Sequence, residues 1–156
     1  MFKKISLIIT IFCLPAYFLP AQTAERMDIL LSSPEVSCAI AALAVLPAAA
    51  LIPEDSSPEA AFAAALEQGV LPKNAEADKA IKLDELSFLI MRSFGMKSGL
   101  MYALFPSPRY AYREMIYRKL IQGRNDHALT LSGERLLRIL GRTLDFLGES
   151  ALGETE

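Results

Sequence analysis

The sequence predicts an all-α protein, and three observations carry that expectation. Ser-Pro-Glu occurs at Ser33-Pro34-Glu35 and again at Ser57-Pro58-Glu59, a helix start that combines a capping hydroxyl, a proline where no amide donor is needed and an acid near the positive end of the dipole. Helical spacing of apolar residues dominates the later segments, and extended character is limited to very short pieces such as Ile81-Lys82-Leu83. Residues 57–94 also align on 107–144 at a constant offset of 50 without a gap.

In chain order, residues 1–24 read as a secretory signal. Lys3 and Lys4 form the positive start, Ile5 to Leu14 the apolar stretch, and small residues at Ala21 and Ala24 offer cleavage sites. Cys13 follows Ile11 and Phe12, not the small residue that lipid attachment needs, so Cys38 is the one cysteine of the mature chain. Its neighbours Ala39, Ile40, Ala41 and Ala42 point to a buried, inert thiol. Residues 25–52 are expected to form an apolar helical hairpin: a turn at Met27 to Leu31, then a helix from Val36 to Leu46 capped by Ser33. Only Ser37 and Pro47 interrupt the apolar run from Val36 to Ile52, so its helix should be covered on every side.

Repeat unit 1, residues 57–94, opens with Glu59 to Gln68, closed by Gly69. A loop over Pro72 to Lys79 follows, then a helix capped by Asp84 and ended at Gly95. Gly99 to Phe105 is a short helical piece. Repeat unit 2, residues 107–144, carries a helix over Arg109 to Ile121, a turn over Arg124 to Ala128, and a last helix opened by Ser132 and running to Leu147. The two units are expected to bury their apolar faces against each other within one domain, residues 25–147, and an acidic, frayed tail occupies 148–156.

Composition narrows the function. Of the 156 residues 53% are hydrophobic, too many for disorder, yet no run approaches the ~20 residues of a spanning helix. Two cysteines and one histidine exclude a zinc-finger or disulfide scaffold. The net charge of −2, or −4 once Lys3 and Lys4 are removed, hides an asymmetry. Glu25 to Glu85 holds four basic and eleven acidic residues, whereas Arg109 to Arg142 holds eight basic and three acidic. That basic back suits an anionic polymer, and the export signal argues against nucleic acid.

Unit 1 runs from an Ala-rich helix through Gly69-Val70-Leu71 and a loop to Ile81-Lys82-Leu83-Asp84-Glu85-Leu86. This resembles the S-layer homology module of bacterial envelope proteins, over about residues 57–94 and again over 107–144. The resemblance implies an all-α repeat that docks on cell-wall polysaccharide. The family's acidic position falls on Glu85, but its ligand-contacting arginine falls on Leu83 in unit 1 and Gly133 in unit 2, with Arg135 at the acidic position of unit 2. Scaffold similarity is therefore expected without the family's own site.

The densest candidate site lies on the first helix of unit 2. Arg109, Arg113 and Tyr117 are spaced i, i+4 and i+8, with Tyr110 beside Arg113 and Tyr117. Guanidinium forks pair with carboxylate or phosphate and tyrosine rings stack on sugars, so the cluster suits an anionic glycan such as peptidoglycan. Arg138 and Arg142 extend the candidate surface, although an arginine stripe opposite Leu136, Leu140 and Leu144 also reads as a solvated face. The bland reading of Arg118 is a helix pair with Glu114. Catalysis has little footing: His127 sits alone in a turn, Asp84-Glu85 point apart, and no metal, cofactor or nucleophile motif is present. The expectation is a non-catalytic exported protein, periplasmic or envelope-associated, that binds cell-wall polysaccharide. The alternative is an assembly factor that docks an envelope protein on an exposed apolar surface at Val36 to Leu46 or Gly99 to Phe105.

Overall fold

A computed structural model describes residues 27–97 and 99–153, so the expected signal at 1–24 and the end of the tail lie outside the described residues. The described chain is all-helical. A helical stretch over 27–32 (α1) is followed by α2 (Cys38–Ala48), α3 (Pro58–Glu67), α4 (Leu83–Ser93), α5 (Leu100–Leu104), α6 (Pro108–Tyr117) and α7 (Gly133–Gly153).

Three short connecting segments meet at the centre. The first residue of each long inward-running helix donates its backbone N–H to the segment that precedes another such helix: Cys38 to Lys79 O at 2.9 Å, Leu83 to Leu129 O at 2.9 Å, and Gly133 to Ser33 O at 3.0 Å. The first-turn amides of a helix have no partner inside it, so this ring satisfies three orphan donors at once. Val36 N–H donates to Leu131 O and Ile81 N–H to Val36 O, and isolated bridges join Ser37 to Ala80 and Lys82 to Thr130. The side chains of Val36, Ile81 and Leu131 are buried at this hub, each contributing about 1.5–3 kcal/mol.

The helices around the hub pack across the units. α2 lies against α3 and α4 against α6, so the second helix of one unit covers the first helix of the next. The two units meet where α4 packs on α6. Ala61 and Ala65 of α3 are fully buried, as are Ala111 and Met115 of α6, and the alanines let the helices approach closely.

Four helices end the same way. In α2, α3, α4 and α6 the second residue past the helix has positive φ: Ala50 (55°), Gly69 (65°), Gly95 (55°) and Lys119 (60°). Each donates back to the penultimate helical carbonyl, and the next residue donates one carbonyl further back, as in Lys119 to Ile116 O (2.9 Å) and Leu120 to Met115 O (3.0 Å). These are Schellman closures, and the residue after three of them, Val70, Met96 and Leu120, is buried, whereas Leu51 is exposed.

Several boundaries differ from expectation for physical reasons. α2 starts at Cys38, because Val36 and Ser37 are committed to the hub; its cap is Ser37, whose hydroxyl accepts from Ile40 N–H, while the Ser33 hydroxyl donates to Ile29 O. α4 starts at Leu83, with the Glu85 carboxylate accepting the Lys82 N–H at 2.9 Å, so Asp84 lies inside the first turn. α6 stops at Tyr117, not Ile121, because Leu120 and Ile121 are drawn into the core beyond the closure at Lys119. α7 continues past Leu147 to Gly153. α2 is also not covered all round: Cys38, Ala41, Ala42, Val45 and Leu46 are buried, but Ile40, Leu43 and Pro47 line an open apolar cleft of about 340 Å³ with Met27, Leu30 and Leu137.

Candidate binding surface

The expected site residues divide between two clefts. α6 begins at Pro108, with no N–H to waste in its first turn, and its helical register places Ala111 and Met115 inward and Arg109, Arg113 and Tyr117 outward. Tyr110, Arg113 and Tyr117 come together in an open cleft of about 270 Å³, completed by Glu114 and by Leu100, Met101 and Tyr102 of α5. Arg109 is exposed on the first turn, outside that lining. Tyr117 is 83% exposed, so its ring faces solvent at the mouth and contributes nothing to the core.

α5 was legible as a helix but not as part of this site. Gly99 opens it, and a β-carbon there would stand 3.1 Å from Glu114 Oε2, so glycine lets α5 sit close over α6. Tyr102 is its one buried residue, meeting Phe88 edge-on with ring centroids 6.5 Å apart. The Tyr102 hydroxyl has no hydrogen-bond partner among the described residues, and burial pushes its pKa up, against the pull of Arg92. Tyr102 lines the cleft, but its hydroxyl oxygen is shielded from it, and an unsatisfied buried hydroxyl costs about 1–3 kcal/mol. The other α5 side chains point outward: Leu100 is 74% exposed, Met101 52%, Leu104 60% and the adjoining Phe105 62%.

Arg118 belongs to the scaffold. Its Nε donates to Glu114 Oε1 at 2.9 Å, its Nη2 to Lys97 O, and its guanidinium lies 5.3 Å from the Phe146 ring centroid. Arg118 thus joins α6, the chain before α5 and α7, as the bland reading of the Glu114 pair anticipated.

Arg138 and Arg142 line a different cleft, of about 490 Å³, between the loop after α6 and the first turns of α7. Arg124 and Arg135 join them there, both missed as site residues although both belong to the basic block. Arg142 does not pair with an acid of the neighbouring unit; its Nη1 donates to Leu120 O at 3.4 Å. Arg135 Nη2 donates to Arg124 O, and Arg138 Nη2 pairs with Glu134 Oε1. Burial lowers the Arg135 pKa; Tyr112 opposes this, and Arg124 and Arg138 add to the lowering.

Of the remaining candidates, His127 is exposed, with Nδ1 3.3 Å from Asp126 Oδ1 and its ring tilted against Tyr112, whose hydroxyl donates to Asn125 O. Cys38 is buried, and desolvation, reinforced by Glu85, pushes its thiol up to about 11. No cluster of metal-ligating side chains occurs among the described residues, and none of their helices is long and apolar enough to cross a membrane. No family model matches the chain, and no curated protein or solved structure is significantly similar to it.

Proposed function

We propose that the protein is a non-catalytic, exported module of the bacterial envelope that binds cell-wall glycan in the α5–α6 cleft. The observation that carries this reading is the convergence of Tyr110, Arg113 and Tyr117 on one open cleft. Tyrosine rings stack on sugar faces, and the guanidinium pairs with carboxylates of the glycan or its stem peptide. The S-layer homology resemblance supports the scaffold and the envelope location, not the site. Leu83 and Gly133, at the family's arginine positions, are spent on packing at the hub, so recognition has to come from other residues.

Retention on purified peptidoglycan sacculi tests the proposal. Wild type is expected to be retained, and an Arg113→Ala/Tyr117→Ala variant to be weakened by about thirtyfold, as when two contacts of ~1 kcal/mol each are removed. Equal retention of both proteins overturns the reading. N-terminal sequencing of exported protein is expected to begin at Gln22 or Glu25.

A second reading is favoured by one observation, the exposure of Leu100, Met101, Leu104 and Phe105 beside the same cleft. Apolar side chains in that density suit an envelope protein partner better than a sugar. The Val36 to Leu46 surface supports it less, because most of that helix is buried. Under this reading a Leu100→Ser/Phe105→Ser variant loses a cross-linked envelope partner while sacculus retention stays at the wild-type level.

A further inference from the structure

We propose that the cleft between the loop after α6 and the start of α7 is a binding site for a multiply charged phosphate group, held by Arg124, Arg135, Arg138 and Arg142. Four guanidinium groups and one carboxylate, Glu134, line this cleft of about 490 Å³. Only Arg138 is paired with that carboxylate, so three positive charges are left in a chain whose overall charge is −2.

The arginines are held ready. Arg135 spends one donor on Arg124 O and Arg142 one on Leu120 O, contacts that hold the guanidinium groups in place. A guanidinium has five N–H donors, so most of each fork remains for a ligand. Both side chains are half-buried, which limits the freedom lost on binding and weakens the screening of their charge. Gathering like charges is itself unfavourable, as the downward push of Arg124 and Arg138 on Arg135 shows, and an anion would reverse that repulsion.

The ligand class follows from charge and shape. A single carboxylate has two oxygens and one charge, enough for one fork. A phosphate monoester or diphosphate presents three or more acceptor oxygens around one centre, matching several forks and a local charge near +3. No aromatic side chain lines the cleft, so the stacking platform of single-stranded nucleic acid recognition is missing. The site is separate from the α5–α6 cleft and does not depend on glycan binding there.

Calorimetric titration of the full chain with inorganic pyrophosphate tests the proposal. Saturable binding is expected, weakening several-fold as salt is raised, and falling at least tenfold in Arg135→Gln/Arg142→Gln. Arg124→Gln/Arg138→Gln, at two exposed positions, guards against misfolding and is expected to lose at least fivefold. Arg113→Ala/Tyr117→Ala should bind as wild type. Absence of pyrophosphate binding, or equal binding by wild type and Arg124→Gln/Arg138→Gln, overturns the site. Vesicles of phosphatidylcholine with and without phosphatidic acid, run beside soluble polyphosphate, distinguish the source. Arginine-dependent retention on phosphatidic acid vesicles assigns a lipid headgroup, and binding of polyphosphate alone assigns a soluble or wall-borne phosphate.

Discussion

The carbonyl oxygen of Leu30 stands 1.7 Å from where a β-carbon on Gly133 would lie. No other glycine in the described chain is so closely approached, and the contact is with backbone, which cannot rotate away. It places α1 over the start of α7 and leaves the Gly133 N–H free to reach Ser33 O at 3.0 Å. Gly133→Ala is therefore expected to break one side of the hub, costing about 3 kcal/mol or more, the upper end of overpacking effects. Gly141→Ala is the control. Nothing lies within 4 Å of its added β-carbon, and alanine in a helix interior should be neutral or stabilising by about 0.5–1 kcal/mol. Urea midpoints of the two variants check both signs.

Lys119 holds a left-handed conformation (φ 60°) that glycine holds at the matching place in unit 1, Gly69 (φ 65°). The hydrogen bonds of the two closures are the same, so the lysine carries strain that its partner position avoids. Relief should exceed the entropy glycine adds to the unfolded chain. Lys119→Gly is expected to stabilise by about 0.5–1 kcal/mol and Gly69→Ala to destabilise by about 1 kcal/mol. Thermal melts that move in the same direction for both would contradict the shared closure.

The same pair shows what was readable in the sequence. Two helix starts marked by Ser-Pro were legible to within one residue because the proline is a local signal: α3 and α6 begin at Pro58 and Pro108 where Glu59 and Arg109 were expected, whereas Ser33-Pro34 opens no helix. The end of α6 was not, since Lys119 gives no local signal for left-handed backbone; only the offset from Gly69 could have supplied it. Val36 and Ser37 were assigned to a helix because their apolar and small character does not reveal the hydrogen bonds of Val36 to Leu131 and Ile81, or the bridge of Ser37 to Ala80, far away in the chain. At the candidate surface, helical spacing predicted that Tyr110, Arg113 and Tyr117 come together. It could not show that α5 folds over them, or that Arg138 and Arg142 join Arg124 and Arg135 in a separate cleft.

Cys38 should make stability depend on alkaline pH. Its thiol sits at about 11 in the folded chain against 9.0 when solvated, so the folded state holds its proton more tightly. The stability this contributes is fully present below pH 9 and is lost as pH rises from there through about 11, because the unfolded chain then binds fewer protons than the folded one. The difference corresponds to roughly 3 kcal/mol at most. Tyr102, raised by burial, adds a loss of the same sign, so the test is a comparison. Denaturant curves of wild type should fall more steeply between pH 9 and 11 than those of Cys38→Ala. Parallel curves would mean that the thiol is better solvated than its burial implies.

Arg118 and Tyr117 are neighbours in sequence with opposite expected roles, and separating them tests the division between scaffold and surface. Arg118 ties Glu114, the Lys97 carbonyl and the Phe146 ring together, with its side chain only 18% exposed. Arg118→Ala leaves the Glu114 carboxylate half-buried and unpaired and frees α5 from α7's side of the molecule, a loss of about 1.5–3 kcal/mol. Tyr117→Ala removes a ring that is 83% exposed, and its stability should change by less than about 0.5 kcal/mol. Sacculus retention should show the reverse order at a temperature where both variants are folded: Tyr117→Ala weakened severalfold, Arg118→Ala reduced only as far as the displaced α5 opens the cleft. A Tyr117→Phe variant then divides stacking from hydrogen bonding, since retention near wild type assigns the contribution to the ring, and retention near Tyr117→Ala assigns it to the hydroxyl.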